Sequence, residues 1–164
     1  MKKFLIVILC FITFSIVAQD ESLNTNQSNI SPSENYNYDE LISKGFDFYE
    51  DEEYELAVKY FSRAIEKNSD NYLAFYYRGC AFRQGLQFFE GTNITDNIMD
   101  LALKDQFQAL ELYTDGYGNL KGDIYLEIAV LKLLIDEGGW CNAFKKSCEY
   151  NNSEACDSFE SLCK

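Results

Sequence analysis

The chain has 164 residues, a formal net charge of −13, six cysteines, one proline and no histidine. Without an imidazole base, Ser-His-Asp and Cys-His hydrolysis are excluded, as is a zinc site of the HExxH kind. Acidic residues number 27 against 14 basic ones, which argues against a nucleic-acid partner because phosphate contacts need clustered Lys and Arg. The length suits one domain with a sizeable core.

The chain opens with Lys2-Lys3, an apolar run from Phe4 to Val17, and Ala18-Gln19 before polar sequence. A basic start, a short apolar run and a small residue predict a secretory signal peptide of the bacterial kind over 1–18. Its roughly 14 apolar residues fall short of the ~20 that a membrane span needs. No span is therefore expected once the signal is cleaved near Ala18. Cleavage removes Lys2 and Lys3 and no acid, taking the charge from −13 to −15. Export, to the periplasm or beyond the cell, places the other five cysteines where disulfides persist. Residues 19–37 are mostly Asn, Ser, Gln, Glu and Thr around Pro32. They have too little apolar surface to offset ordering entropy and predict a flexible linker.

From Tyr38 the apolar residues recur at helical spacing. One stretch reads Leu41, Lys44-Gly45, Phe48, Tyr54, Ala57, Phe61, Ala64-Ile65; a second reads Phe75, Arg78-Gly79, Phe82, Ala102, Gln106, Ala109-Leu110. Gly45 and Gly79 stand 34 residues apart. Small residues at Gly45, Ala57 and Ala64 let two helices approach, and Leu41, Phe48 and Phe61 fill the seam between them. The pattern resembles the tetratricopeptide repeat in period and in small/large alternation. It departs from that family at Lys44, at Ser69 and Thr114 in the closing proline place, and at Gln106 in place of an aromatic. A third, degenerate pair runs from Gly122 to Glu137, turns at Gly138-Gly139, and returns from Trp140 to Tyr150. The expected fold is all-α. It is a short antiparallel helix-pair solenoid of two to three repeats (about 38–71, 72–116 with an insertion at 87–97, and 117–150), with an irregular helical bundle as the alternative.

The C-terminal end carries two copies of CxxFxxxC, Cys141 to Cys148 and Cys156 to Cys163. Seven residues are two helical turns, so in each copy both cysteines share one helix face. Tyr150 to Ser153 reads as a turn, with Asn152 or Ser153 as the next N-cap. Folding the two helices antiparallel brings Cys148 to Cys156 beside the turn and Cys141 to Cys163 two turns away. The crossed pairings miss the ~7 Å Cα limit. The result is a capping helix at 153–163 stapled by two disulfides. The Cys148-x7-Cys156 spacing is also similar to Sel1-like, cysteine-rich repeats of secreted bacterial proteins. A zinc site needs closer cysteine pairs or histidine, and Asp115 to Asp123 lacks the central glycine and closing glutamate of a calcium loop. No metal or cofactor is expected. Cys80 is left as a free thiol, either a small core residue or a reactive one flanked by Arg78 and Arg83.

The tetratricopeptide resemblance implies that the first helix of each pair lines a groove. Ile42, Phe46 and Tyr49 from the first repeat and Tyr76, Cys80 and Arg83 from the second would face it. Aromatics with arginine are the composition of binding hot spots, although the same aromatics also suit a core. Ile42, Phe46 and Tyr77 replace the Lys and Asn with which family members clamp a terminal carboxylate. Glu50-Asp51-Glu52-Glu53 with Glu55 forms an acidic turn that would attract a basic partner, and Phe88-Phe89 in the insertion is a further candidate contact. The expected function is an exported, non-enzymatic module binding a protein or peptide. A compact disulfide-stabilised domain without a groove ligand, and an enzyme using carboxylates, are the alternatives.

Overall fold

The computed structural model describes residues 35–86, 97–114 and 120–164. The signal segment, nearly all of the linker, the insertion with Phe88 and Phe89, and residues 115–119 lie outside the described residues. Seven α-helices and no strand occur among those described: α1 Tyr38–Glu50, α2 Tyr54–Lys67, α3 Tyr72–Gln84, α4 Ile98–Leu112, α5 Leu120–Leu134, α6 Trp140–Glu149 and α7 Ser153–Leu162. Each packs on the next in sequence, and α3 also touches α5. None is long and apolar enough to cross a membrane.

Local chemistry sets the ends of these helices. Asn37 caps α1 through a reciprocal pair: its side chain accepts from Glu40 N–H at 3.0 Å, and the Glu40 carboxylate accepts from Asn37 N–H at 2.9 Å. Asn71 caps α3 by accepting from Leu73 N–H, and Asn152 caps α7 by accepting from Ala155 N–H. The C-termini of α1, α5 and α6 close alike. Glu53 N–H bonds Phe48 C=O, Glu137 N–H bonds Lys132 C=O, and Asn152 N–H bonds Ser147 C=O. Each closure needs one residue in the left-handed region, filled by Glu52 (φ 60°), Asp136 (φ 56°) and Asn151 (φ 64°).

Small residues make the helix crossings. Ala57 and Ala64 on α2, Ala74 and Ala81 on α3, and Ala102 and Ala109 on α4 are each seven apart and fully buried, so each pair occupies one helix face. A Cβ at Gly45 would sit 2.5 Å from the Phe61 ring, and one at Gly79 would sit 2.6 Å from Gln106 Nε2 and 3.1 Å from the Ala102 carbonyl. Gly122 does the same for α5 on α6. A Cβ there would meet the Tyr150 backbone at 3.2 Å, and Ser147 Oγ donates to the Gly122 carbonyl at 2.6 Å. Thus α1/α2, α3/α4 and α5/α6 each cross at a glycine on the first helix.

Where an aromatic was expected, Gln106 is fully buried and donates to the Tyr76 carbonyl at 3.0 Å. Beside it, Arg78 grips Asp105 with two bonds of 2.7 and 2.8 Å and donates to Ser62 Oγ at 3.1 Å, joining α2, α3 and α4. Burial raises the Asp105 carboxyl above its ordinary range, against the opposing pull of Arg78.

The third helix pair corrects the boundaries expected from sequence. Its first helix begins at Leu120 and ends at Leu134, two residues earlier and three residues shorter at its C-terminus than Gly122 to Glu137. The cause is the left-handed residue Asp136, which closes the helix before the glycine pair. Gly139, with φ 89°, then turns the chain into α6.

The C-terminal hairpin has the expected pairing. Cys148–Cys156 lies beside the turn with Cα atoms 4.7 Å apart, and Cys141–Cys163 lies at the far end with Cα atoms 5.7 Å apart. Asn152 Nδ2 also donates to Asp123 on α5 at 2.8 Å, which fastens the turn to the preceding helix.

Candidate binding face

Side chains of α1, α3 and α5 meet along one side of the stack. Phe46 and Tyr77 pack edge to face with ring centroids 4.1 Å apart, and Tyr76 and Tyr77 do so at 4.8 Å. Tyr49 meets Tyr77 at 6.2 Å and Tyr54 at 5.7 Å. Beneath them, Phe61 from α2 stacks on Tyr77 and meets Phe46 edge-on. Such offset and perpendicular arrangements suit the ring quadrupoles and fix the cluster's shape.

Polar ends are tied between helices. Tyr54 O–H donates to Gln84 Oε1 at 3.0 Å, and Gln84 Nε2 donates to the Tyr49 hydroxyl oxygen. Arg83 on α3 makes a two-pronged ion pair with Glu127 on α5, at 2.6 and 2.9 Å. This fork cancels the guanidinium charge and joins the second helix pair to the third.

The six residues named from sequence separate by burial. Phe46, Tyr49, Tyr76 and Arg83 are half-buried on this face. Ile42 and Cys80 are corrected: they are 9% and 3% exposed and belong to the interior. Ile42 joins the apolar core, and Gln106 Nε2 donates to Cys80 Sγ at 3.6 Å from α4. Arg78 and Arg83, the two cations flanking Cys80 in sequence, are held by Asp105 and Glu127. Burial, reinforced by Glu127, pushes the Cys80 thiol far above its ordinary value, so it stays protonated and is a poor nucleophile.

Burial likewise raises the Tyr49 and Tyr76 phenols well beyond the usual tyrosine range, with Cys80 and Glu127 adding to the shift. Tyr77 is raised for the same leading reason. The face therefore presents neutral phenols, an amide and a self-neutralised ion pair. Among the described residues, no group of three or more His, Cys, Asp or Glu side chains is placed to hold a metal ion.

Sequence reading missed Tyr77 as the centre of the ring cluster, Gln84 as the bridge between Tyr49 and Tyr54, and Glu127 as the partner of Arg83. Tyr77 was legible in principle, since it follows Tyr76 and lies one turn before Ala81 on α3. Arg83 and Glu127 are 44 residues apart, and no local pattern links them. No protein-family model matches the chain, and no curated protein matches it.

Proposed function

We propose that the chain is an exported, non-enzymatic binding module of tetratricopeptide-like helix pairs, which holds a peptide or protein partner on the α1/α3/α5 face. The observation that carries this reading is the cluster of half-buried Phe46, Tyr49, Tyr76 and Tyr77, held rigid by bonds between helices. Tyrosines fixed in this way offer large contact area at small entropic cost, as in protein-binding hot spots. The glycine crossings at Gly45 and Gly79, 34 residues apart, support the repeat reading. The Cys148–Cys156 staple supports kinship with Sel1-like repeats. Export to the periplasm or the extracellular space rests on the signal-like start, and two disulfides suit an oxidising compartment.

The test is co-purification from envelope or medium fractions with the wild-type protein and with Phe46→Ala plus Tyr76→Ala. A partner retained by the wild type and lost by the folded double variant is the expected result. Equal capture by both would remove this face as the binding site. The burial of Ile42 and Cys80 favours a second reading, in which the helix pairs form a compact structural domain without a ligand. On that reading the double variant loses thermal stability and no partner.

A further inference from the structure

We infer that the partner carries lysine or arginine side chains and lays them on the Tyr49/Tyr76/Tyr77 rings beside the acidic α1–α2 turn. The inference rests on the binding reading above and names the chemistry of its ligand.

The chain's own use of cations is the first observation. Lys44 lies over Tyr36 at 5.2 Å, Arg78 over Phe75 at 5.8 Å, Lys121 over Tyr150 at 5.1 Å, Lys132 over Phe107 at 5.8 Å and Lys146 over Tyr125 at 5.2 Å. Aromatic rings around the fold thus take a cation from the chain itself. Among the described residues, no such cation lies over Tyr49, Tyr76 or Tyr77. The guanidinium that does reach this face, Arg83, is consumed by Glu127.

The second observation is the charge next to Tyr49 along the chain, at the α1–α2 turn. Asp47, Glu50, Asp51, Glu52 and Glu53 flank Tyr49 in sequence, and all but Glu53 are exposed. None of the five is ion-paired among the described residues. Electron-rich ring faces attract cations, and the phenols keep their protons, so the rings remain neutral π surfaces. An acidic ligand would meet uncompensated carboxylates, while a basic one would meet both attractions together.

The test is a selection of random displayed peptides on the oxidised protein, counter-selected on folded Tyr49→Ala plus Tyr76→Ala. Enriched peptides are expected to be rich in Lys or Arg. Their affinity is expected to fall about tenfold between low and high salt, as electrostatic complementarity requires. A charge variant, Glu50→Gln with Asp51→Asn and Glu53→Gln, leaves every ring in place and keeps the test independent of the core. It is expected to weaken the same peptides by a comparable factor. Enriched peptides poor in basic residues, or basic peptides indifferent to both salt and the charge variant, would overturn the inference while leaving the binding reading standing. No enrichment over the counter-selection would overturn both.

Discussion

At the residue scale, the three left-handed closures are a natural comparison, because one backbone position is filled by three different side chains. Asn tolerates that region well, whereas a longer side chain without local hydrogen bonding does so at a cost of roughly 1 kcal/mol. Glu52→Gly is therefore expected to stabilise the protein by about 1 kcal/mol in urea unfolding, and Asn151→Gly by much less. Equal gains at both positions would contradict the strain argument. The crossing glycines carry the opposite expectation. Gly45→Ala places a methyl group against the Phe61 ring, and overpacking of this kind costs about 1–3 kcal/mol.

The buried phenols add a pH prediction. An unfolded chain releases tyrosine protons near pH 10, while burial holds the Tyr38 proton to about 12 and the Tyr49 and Tyr76 protons further still. Above pH 10 the unfolded state binds fewer protons than the folded one. The stability due to these groups is thus full below pH 10 and falls as pH rises towards 12. Tyrosinate absorbance is expected to rise first from exposed rings and then in a second step that coincides with loss of helical dichroism. A single step near pH 10 with the helices intact would be the contrary result.

At the element scale, α7 depends on its staples. It has ten residues, buries only Ala155 fully, and leaves Leu162 53% exposed. A helix of this length is marginal alone, and its packing is against α6. Each disulfide is worth about 2–4 kcal/mol by chain-entropy reasoning. Reduction is expected to raise amide exchange throughout α7 while α1 to α4 stay protected, as hydrogen-exchange mass spectrometry can read. Cys141→Ser with Cys163→Ser is expected to fray α7 from Leu162 backwards, because Cys148–Cys156 and the Asn152–Asp123 bond still hold its start. Unchanged exchange in the reduced protein would mean that packing alone docks α7.

The elements also show why some of the structure was legible in the sequence. The first helix pair was readable because Leu41, Gly45, Ala57, Phe61 and Ala64 are local signs of one crossing. The hairpin was readable because its cysteines repeat at a helical period. The third pair was placed two to three residues off, since Asp136 closes α5 where a sequence reader looks to Gly138-Gly139. Its crossing glycine, Gly122, faces the Tyr150 and Ser147 backbone rather than a large ring, so no size pattern marks it. The candidate face was legible only in part. Helical spacing names the side of α1 and α3, but only packing shows that Ile42 and Cys80 sink beneath it while Tyr77 comes to its centre.

At the scale of the whole molecule, cohesion comes from each helix resting on its neighbours, with Arg78–Asp105 and Arg83–Glu127 as longer ties. The first tie joins α3 to α4, and the second joins α3 to α5 across the face. Removing Glu127 by Glu127→Ala leaves Arg83 half-buried and unpaired, which costs more than the pair is worth. The expected effects are a loss of roughly 3 kcal/mol in global stability and weaker coupling between the two halves of the stack. The coupling would appear as broader, less cooperative unfolding. A sharp transition with unchanged midpoint would show that the fork contributes nothing to joining them.

The arrangement of the two disulfides has a consequence for how the chain matures. Cys148–Cys156 encloses a span of 8 and lies wholly inside the span of 22 closed by Cys141–Cys163, like a pair of brackets within another. Short loops close at the smaller entropic cost, so the inner bond forms first and brings the outer thiols together. A wrong pairing within one helix is ruled out only once that same helix has wound, since seven residues of helix hold two thiols about 10 Å apart. Once the inner bond has formed, Cys141 and Cys163 are the two thiols left to pair in the hairpin.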